Sequence, residues 1–157
     1  MSSGLRIRPA SEADREFVIS LMPRLVEFGP PRWRDAEQMT DTDTRVITES
    51  LLNPTRDASI FIAEDADGRA LGLIHLRTTT EHYNREEHGH VEDLIVAPEG
   101  EGRGVGRALL EKAEEWARVR GYRWLTLNVF AENVRAREVY KRLGYGEDIV
   151  KYVKELD

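Results

Sequence analysis

The sequence predicts one α/β domain spanning residues 1 to 157, with a sheet flanked by helices. Three observations predict it. Strand-like and helix-like apolar periods alternate along most of the chain. Two apolar runs, Ser59 to Glu64 and Ala70 to Arg77, flank an Asp67-Gly68 turn suited to a hairpin. The segment from Val91 to Leu110, VEDLIVAPEGEGRGVGRALL, reads as a buried strand, a glycine-rich loop and the start of a helix. At 157 residues and 40% hydrophobic content, the chain has the size and composition for a single core.

Each element follows in order. Leu5 to Arg8 is a short strand ending at Pro9, and Ser11-Glu12-Ala13-Asp14 is a capping box opening a helix with Phe17, Leu21 and Leu25 on one side. Pro23 kinks or splits that helix, because it lacks an amide hydrogen and its ring meets the preceding turn. A loop with Phe28, Gly29, Pro30, Pro31 and Trp33 leads to a second helix near Thr42 to Leu52, which Pro54 prevents from continuing. After the hairpin, His90 to Ala97 is the central strand. The helix from Gly104 carries Val105, Leu109, Ala113, Trp116 and Ala117 in one stripe and stops at Gly121. Leu125, Leu127 and Val129 form the next strand. Asn133 caps a helix with Ala136, Val139, Tyr140 and Leu143 on one face and Gly144 at its end. Ile149 to Val153 is expected to close the sheet, and no repeat or linker interrupts the chain.

The loop after Pro98 is suited to phosphate. Gly102, Gly104 and Gly106 let the backbone approach a ligand, and free N–H groups at a helix start converge on an anion. A nucleotide P-loop needs Lys and then Ser or Thr after its last glycine, where this chain has Arg107 and Ala108. A dinucleotide fingerprint needs Gly-x-Gly-x-x-Gly after the first strand, whereas these glycines run Gly-x-Gly-x-Gly well past mid-chain. ATP, GTP and NAD are therefore poor ligands for it.

The EGRGVG hexad, Glu101 to Gly106, resembles the Arg/Gln-x-x-Gly-x-Gly/Ala signature of the GNAT family, the GCN5-related N-acetyltransferases. One position departs: Glu101 stands where that family has Arg or Gln. A second stretch, LTLNVFAENVRAREVYKRLGY, resembles the family's Asn-x-x-Ala-x-x-x-Tyr-x-x-x-Gly-Phe/Tyr, with Asn133, Ala136, Tyr140, Gly144 and Tyr145 at every spacing. The resemblance covers roughly Leu5 to Val153. It implies the acyl-CoA N-acyltransferase fold, a mixed central sheet of about six to seven strands flanked by helices.

It also implies the chemistry. Acetyl-CoA would enter where the strands ending at Ala97 and Phe130 splay apart. A bulge would free backbone groups of Leu94, Ile95 and Val96 for the pantetheine arm, as a short extra strand pairs. The pyrophosphate would meet the loop from Glu101 through Gly102, Arg103, Gly104, Val105, Gly106 and Arg107, while Asn133 and Ala136 lie near the pantetheine and acetyl group. Tyr140 would point at the sulfur and protonate the departing thiolate; the same residue also reads as a core aromatic with its hydroxyl at the surface. A primary amine with a pKa of about 10.4 arrives as an ammonium, so a carboxylate must take its proton. Glu92 and Asp93 are adjacent on the central strand, and strand alternation turns them to opposite faces. Family members with a similar acid pair favour Glu92 as the base, directly or through water. Phe28 and Trp33, in the family's usual acceptor wall, are the further substrate residues beside Glu92 and Asp93.

Composition narrows the partners. The absence of cysteine removes disulfides and any acyl-cysteine intermediate, and it fits a reducing, cytoplasmic setting. No apolar run approaches the roughly 18 residues of a membrane span, so no membrane partner is expected. The net charge of −6 opposes general nucleic-acid binding and favours a cationic acceptor: a polyamine, amino sugar or aminoglycoside, or a peptide amine. His88 and His90 sit near Glu86, Glu87 and Glu92 without a defined ligand set, so no metal is expected. His82 and Tyr83 read as exposed connector. The resemblance admits a homodimer through the C-terminal strand, and a non-catalytic coenzyme-A-binding module with the same fold as the alternative to an enzyme.

Overall fold

The alternating periods become five strands and four α-helices in the computed structural model, which describes residues 4–27 and 30–157. In chain order these are β1 (Arg6–Pro9), α1 (Arg15–Leu21), α2 (Ala36–Leu52), β2 (Ala58–Glu64), β3 (Ala70–Thr80), β4 (Glu87–Val96), α3 (Val105–Val119), β5 (Leu125–Leu127) and α4 (Val134–Arg142). The sheet order is β1-β2-β3-β4-β5, with every pairing antiparallel except the parallel β4–β5 pair. This is the mixed sheet expected, with five strands rather than six to seven.

Strand alternation distributes the core over two faces. On one, Ala63, Leu71, Ile74, Leu76 and Val91 pack against Val105, Leu109, Ala113 and Trp116 of α3, the expected stripe. On the other, Ile60, Ile62, Leu73 and Ile95 meet Val18, Leu21 and Met22 from the first helical segment and Ile47 and Leu51 of α2. Pro23 splits the first helix as expected: α1 ends at Leu21 and a 3-10 turn, Met22–Val26, takes over. α2 begins at Ala36, earlier than the expected Thr42, because Asp35 accepts the Gln38 amide at 3.0 Å and caps it there. Near the N-terminus, the Arg8 guanidinium joins Asp14 (2.8 Å) to Glu64 (2.7 Å), fastening β1 to β2 and to the turn that precedes α1.

The expected closing strand is corrected. Residues 149–153 are not a strand, and Ile149 and Tyr152 are 84% and 90% exposed. A strand forms only against a partner edge, and β5 pairs over just three residues. The apolar residues of the segment also come as adjacent couples, Ile149-Val150 and Tyr152-Val153, so neither face of a strand would be cleanly apolar. No helix among the described residues is long and apolar enough to cross a membrane.

Candidate active site

The site begins where β4 and β5 separate. They pair only at Gly89 with Leu125, His90 with Thr126 and Val91 with Leu127, and β4 then runs on alone to Val96. A bulge sits at the parting: His75 of β3 faces Asp93 and Leu76 faces Val91, leaving Glu92 as the extra residue. Beyond it, Ala97 donates to the Leu71 carbonyl at 2.8 Å. Antiparallel alternation then directs the polar groups of Ile95 to β3 and those of Leu94 and Val96 to the open side. Of the three expected backbone partners, Ile95 is therefore already committed to the sheet.

The bulge corrects the reading of the acid pair. Glu92 and Asp93 do not face opposite sides. Asp93 Oδ2 is 3.1 Å from His75 Nδ1, while Glu92 lies 3.6 Å from His90 Nε2 and 3.9 Å from Arg77 Nη2. Both act on Asp43 of α2, whose carboxyl is raised above its ordinary range by burial and by these two negative neighbours. Three carboxylates thus gather on the α2 side of the sheet.

A polar chain supports Asp93 from behind. The wholly buried His75 ring links Asp93 at Nδ1 to Ser50 Oγ of α2, 2.9 Å from Nε2. A carboxylate only accepts, so Nδ1 carries the proton of that bond. His90 is held at the parting by Thr126 Oγ1, 2.7 Å from Nδ1, and burial lowers its pKa, which favours the neutral ring despite Glu92. His88 bonds Thr79 on the other side of β4, so the two histidines serve different strands. No group of three or more potential ligands placed to hold a metal occurs among the described residues.

At the end of β4, Gly102 and Gly104 adopt φ of 74° and 77°, the left-handed region that favours glycine, with open space where a Cβ would stand. Gly104 is the N-cap of α3. The Arg103 amide is used by Gly100 and that of Ala108 by Gly104. The amides of Gly102, Gly104, Val105, Gly106 and Arg107 have no acceptor among the described residues. Five free donors at the start of a 15-residue helix form an anion cradle. Arg107 itself pairs with Glu111 on the exposed surface of α3 at 3.2 Å.

After β5, Asn133 caps α4 as expected, accepting the Ala136 amide at 3.2 Å, and Tyr140 and Leu143 pack against the core on the α3 side of the sheet. Tyr140 is half-buried against Tyr145, the rings 6.0 Å apart and nearly edge-to-face. Burial raises the Tyr140 hydroxyl above its ordinary pKa, which keeps it protonated at neutral pH.

These elements match known proteins along most of their length. The acetyltransferase (GNAT) family pattern matches residues 22–145. The chain belongs to the GNAT family of acetyltransferases. The aminoglycoside N(6')-acetyltransferase type 1 of Stenotrophomonas maltophilia is 32% identical over 118 residues, 73% of each chain. A mycothiol acetyltransferase of Saccharomonospora viridis is 28% identical over 150 residues, 92% of this chain and 47% of that protein. In fold, AAC(6')-Iy in complex with the bisubstrate analog CoA-S-monomethyl-acetylneamine gives a TM-score of 0.69 at 23% identity, covering 97% and 99% of the two chains.

In this acetyltransferase the residues present fit coenzyme A. The amide cradle suits a pyrophosphate, and the polar groups of Leu94 with the Val96 amide offer a strand edge for an amide-bearing arm, the Val96 carbonyl already accepting from Arg24 Nε at 3.0 Å. Trp33 is 43% exposed with the Arg34 guanidinium 4.2 Å above its ring, so one face is already covered. Phe28 lies outside the described residues. The sequence reading missed Asp43, Ser50, His75 and Arg24. His75 had a usable signal, a polar residue inside the apolar run Leu71 to Leu76. Asp43 and Ser50 had none, being ordinary polar positions on a helix.

Proposed function

We propose that this acetyltransferase moves the acetyl group of acetyl-CoA to a primary amine by direct attack, and that the acceptor is a small cationic amine of the polyamine, amino sugar or aminoglycoside kind. The observation that carries the reading is the bulged acid pair Glu92 and Asp93 at the parting of β4 and β5, with Asp43 of α2 as a further negative neighbour. Their negative charge favours an ammonium ligand, and the likeness to the S. maltophilia aminoglycoside enzyme supports the class.

Bound acetyl-CoA supplies the acetyl group as a thioester. The ammonium must shed a proton to expose its nitrogen lone pair. Glu92, the half-exposed member of the acid pair, accepts that proton directly or through water. Asp93, fixed by His75, and Asp43 hold the positive charge of the acceptor near the cleft. Tyr140 keeps its proton until the sulfur departs and then supplies it. In this reading Asn133 and Ala136, joined by the α4 cap, serve the pantetheine end, and the ring face of Trp33 not covered by Arg34 serves the acceptor.

The test is calorimetry with acetyl-CoA, followed by release of free thiol with panels of polyamines, amino sugars and N-terminal peptides. Turnover with the cationic small amines, reduced about 10- to 100-fold by Tyr140→Phe at unchanged acetyl-CoA affinity, is the expected result. Binding with no turnover on any amine would instead favour a coenzyme-binding module.

A further inference from the structure

We propose that Arg24 is a coenzyme-binding residue that supplies the cation missing from the first position of the phosphate loop. The proposal rests on the reading of that loop as the pyrophosphate site. In sequence, Glu101 is an anomaly: it places a negative charge where an anion is to be bound. In the fold, that charge is already met. Arg24 Nη2 lies 2.6 Å from Glu101 Oε1, and Nε donates to the Val96 carbonyl at 3.0 Å.

Chain geometry brings Arg24 there. Pro23 ends α1 and starts the 3-10 turn Met22–Val26, and Arg24 reaches from this turn across 77 positions of sequence to the loop. The Val96 carbonyl is one of the groups that alternation directs away from β3, so the guanidinium spans the open edge of β4 and the mouth of the loop. Only a planar fork with donors on separate edges makes both bonds at once; a lysine ammonium has a single centre.

The arrangement leaves capacity for a ligand. Arg24 has five N–H groups, and the bonds to Val96 and Glu101 use Nε and one hydrogen of Nη2. Nη1 makes a looser ion pair with Glu27 at 3.7 Å, beyond hydrogen-bond length, so its hydrogens and the second one of Nη2 can turn to phosphate oxygens. The side chain is 22% exposed and held at two points, whereas Arg107 is 71% exposed and paired along α3. A cation already fixed in place loses little freedom on binding. Arg24 thus holds the Glu101 carboxylate in its closer ion pair and presents its remaining donors to the anion.

The test is calorimetry on the full chain with two ligands, acetyl-CoA and S-acetylpantetheine, the second lacking the pyrophosphate. Arg24→Gln is expected to weaken acetyl-CoA about 10-fold or more and to leave S-acetylpantetheine within about twofold. Adding Glu101→Gln to that variant is expected to recover most of the loss, since the uncompensated carboxylate is removed with its partner. Arg24→Lys, which keeps the charge without the fork, is expected to fall between and guards against a folding defect in Arg24→Gln. Equal weakening of both ligands would overturn the proposal by assigning Arg24 to the strand edge alone, as would an unchanged acetyl-CoA affinity in Arg24→Gln. Absence of acetyl-CoA binding by the unaltered chain would be a different failure, that of the pyrophosphate site itself.

Discussion

The phosphate loop and the carboxylate cluster share strand β4 but are built in opposite ways. The loop is one contiguous stretch whose binding groups are backbone amides, positioned by the left-handed conformations of Gly102 and Gly104. The cluster is assembled from side chains of α2, β3 and β4, with His75 18 positions from Asp93 and 25 from Ser50. A backbone site tolerates changes of side chain and is sensitive to changes of conformation. A side-chain site behaves in the reverse way. The loop can therefore carry Glu101 once Arg24 meets its charge, while the cluster depends on the identity of each side chain.

The largest effect is expected in the cluster. Glu92→Gln should lower kcat about 100- to 1,000-fold while the acetyl-CoA dissociation constant stays within about twofold, by steady-state kinetics and calorimetry. Equal losses in both would show that the two regions are not separable. His75→Leu should cost about 2–3 kcal/mol in urea unfolding, because it leaves the buried Asp93 carboxylate without its partner. In the loop, Gly104→Ala should cost about 1–2 kcal/mol from the left-handed backbone alone, since nothing lies within 4 Å of the added methyl. The same change should weaken acetyl-CoA without altering the pH profile of kcat.

Two smaller effects sharpen the contrast. Burial lowers the His90 pKa below its ordinary 6.5, so between that folded-state value and 6.5 the unfolded chain binds more protons. The His90 contribution to stability is therefore complete above pH 6.5 and declines as pH falls below it. His90→Gln should flatten that part of the stability-versus-pH curve; an unchanged slope would remove His90 from the account. Arg107→Ala should change acetyl-CoA affinity less than about twofold, because its guanidinium is exposed and paired with Glu111.

The legibility of each part follows the same division. The capping of α4 by Asn133, the Pro23 break, the α3 stripe and the Gly102–Gly106 loop are local patterns, and all are present where their residues predict them. The opposite facing of Glu92 and Asp93 also followed from a local rule, strand alternation, and it failed because the bulge opposite His75 and Leu76 adds one residue to β4. The closing strand at 149–153 failed for want of a partner edge, which β-propensity does not report. Asp43 was invisible for a third reason: its significance comes from two carboxylates about 50 residues away, and its own helix carries no trace of them.

By itself the sequence determined the α/β class, the Pro23 break, the limits of α3, the Asn133 cap of α4 and the glycine-rich loop, because short-range sterics and hydrogen bonding act between near neighbours in the chain. Only the tertiary structure decided that β4 and β5 part after Val91, that three carboxylates share one side of the sheet, and that Arg24 pairs with Glu101. Those are encounters between distant segments, and electrostatic energy depends on separation in space rather than on separation along the chain.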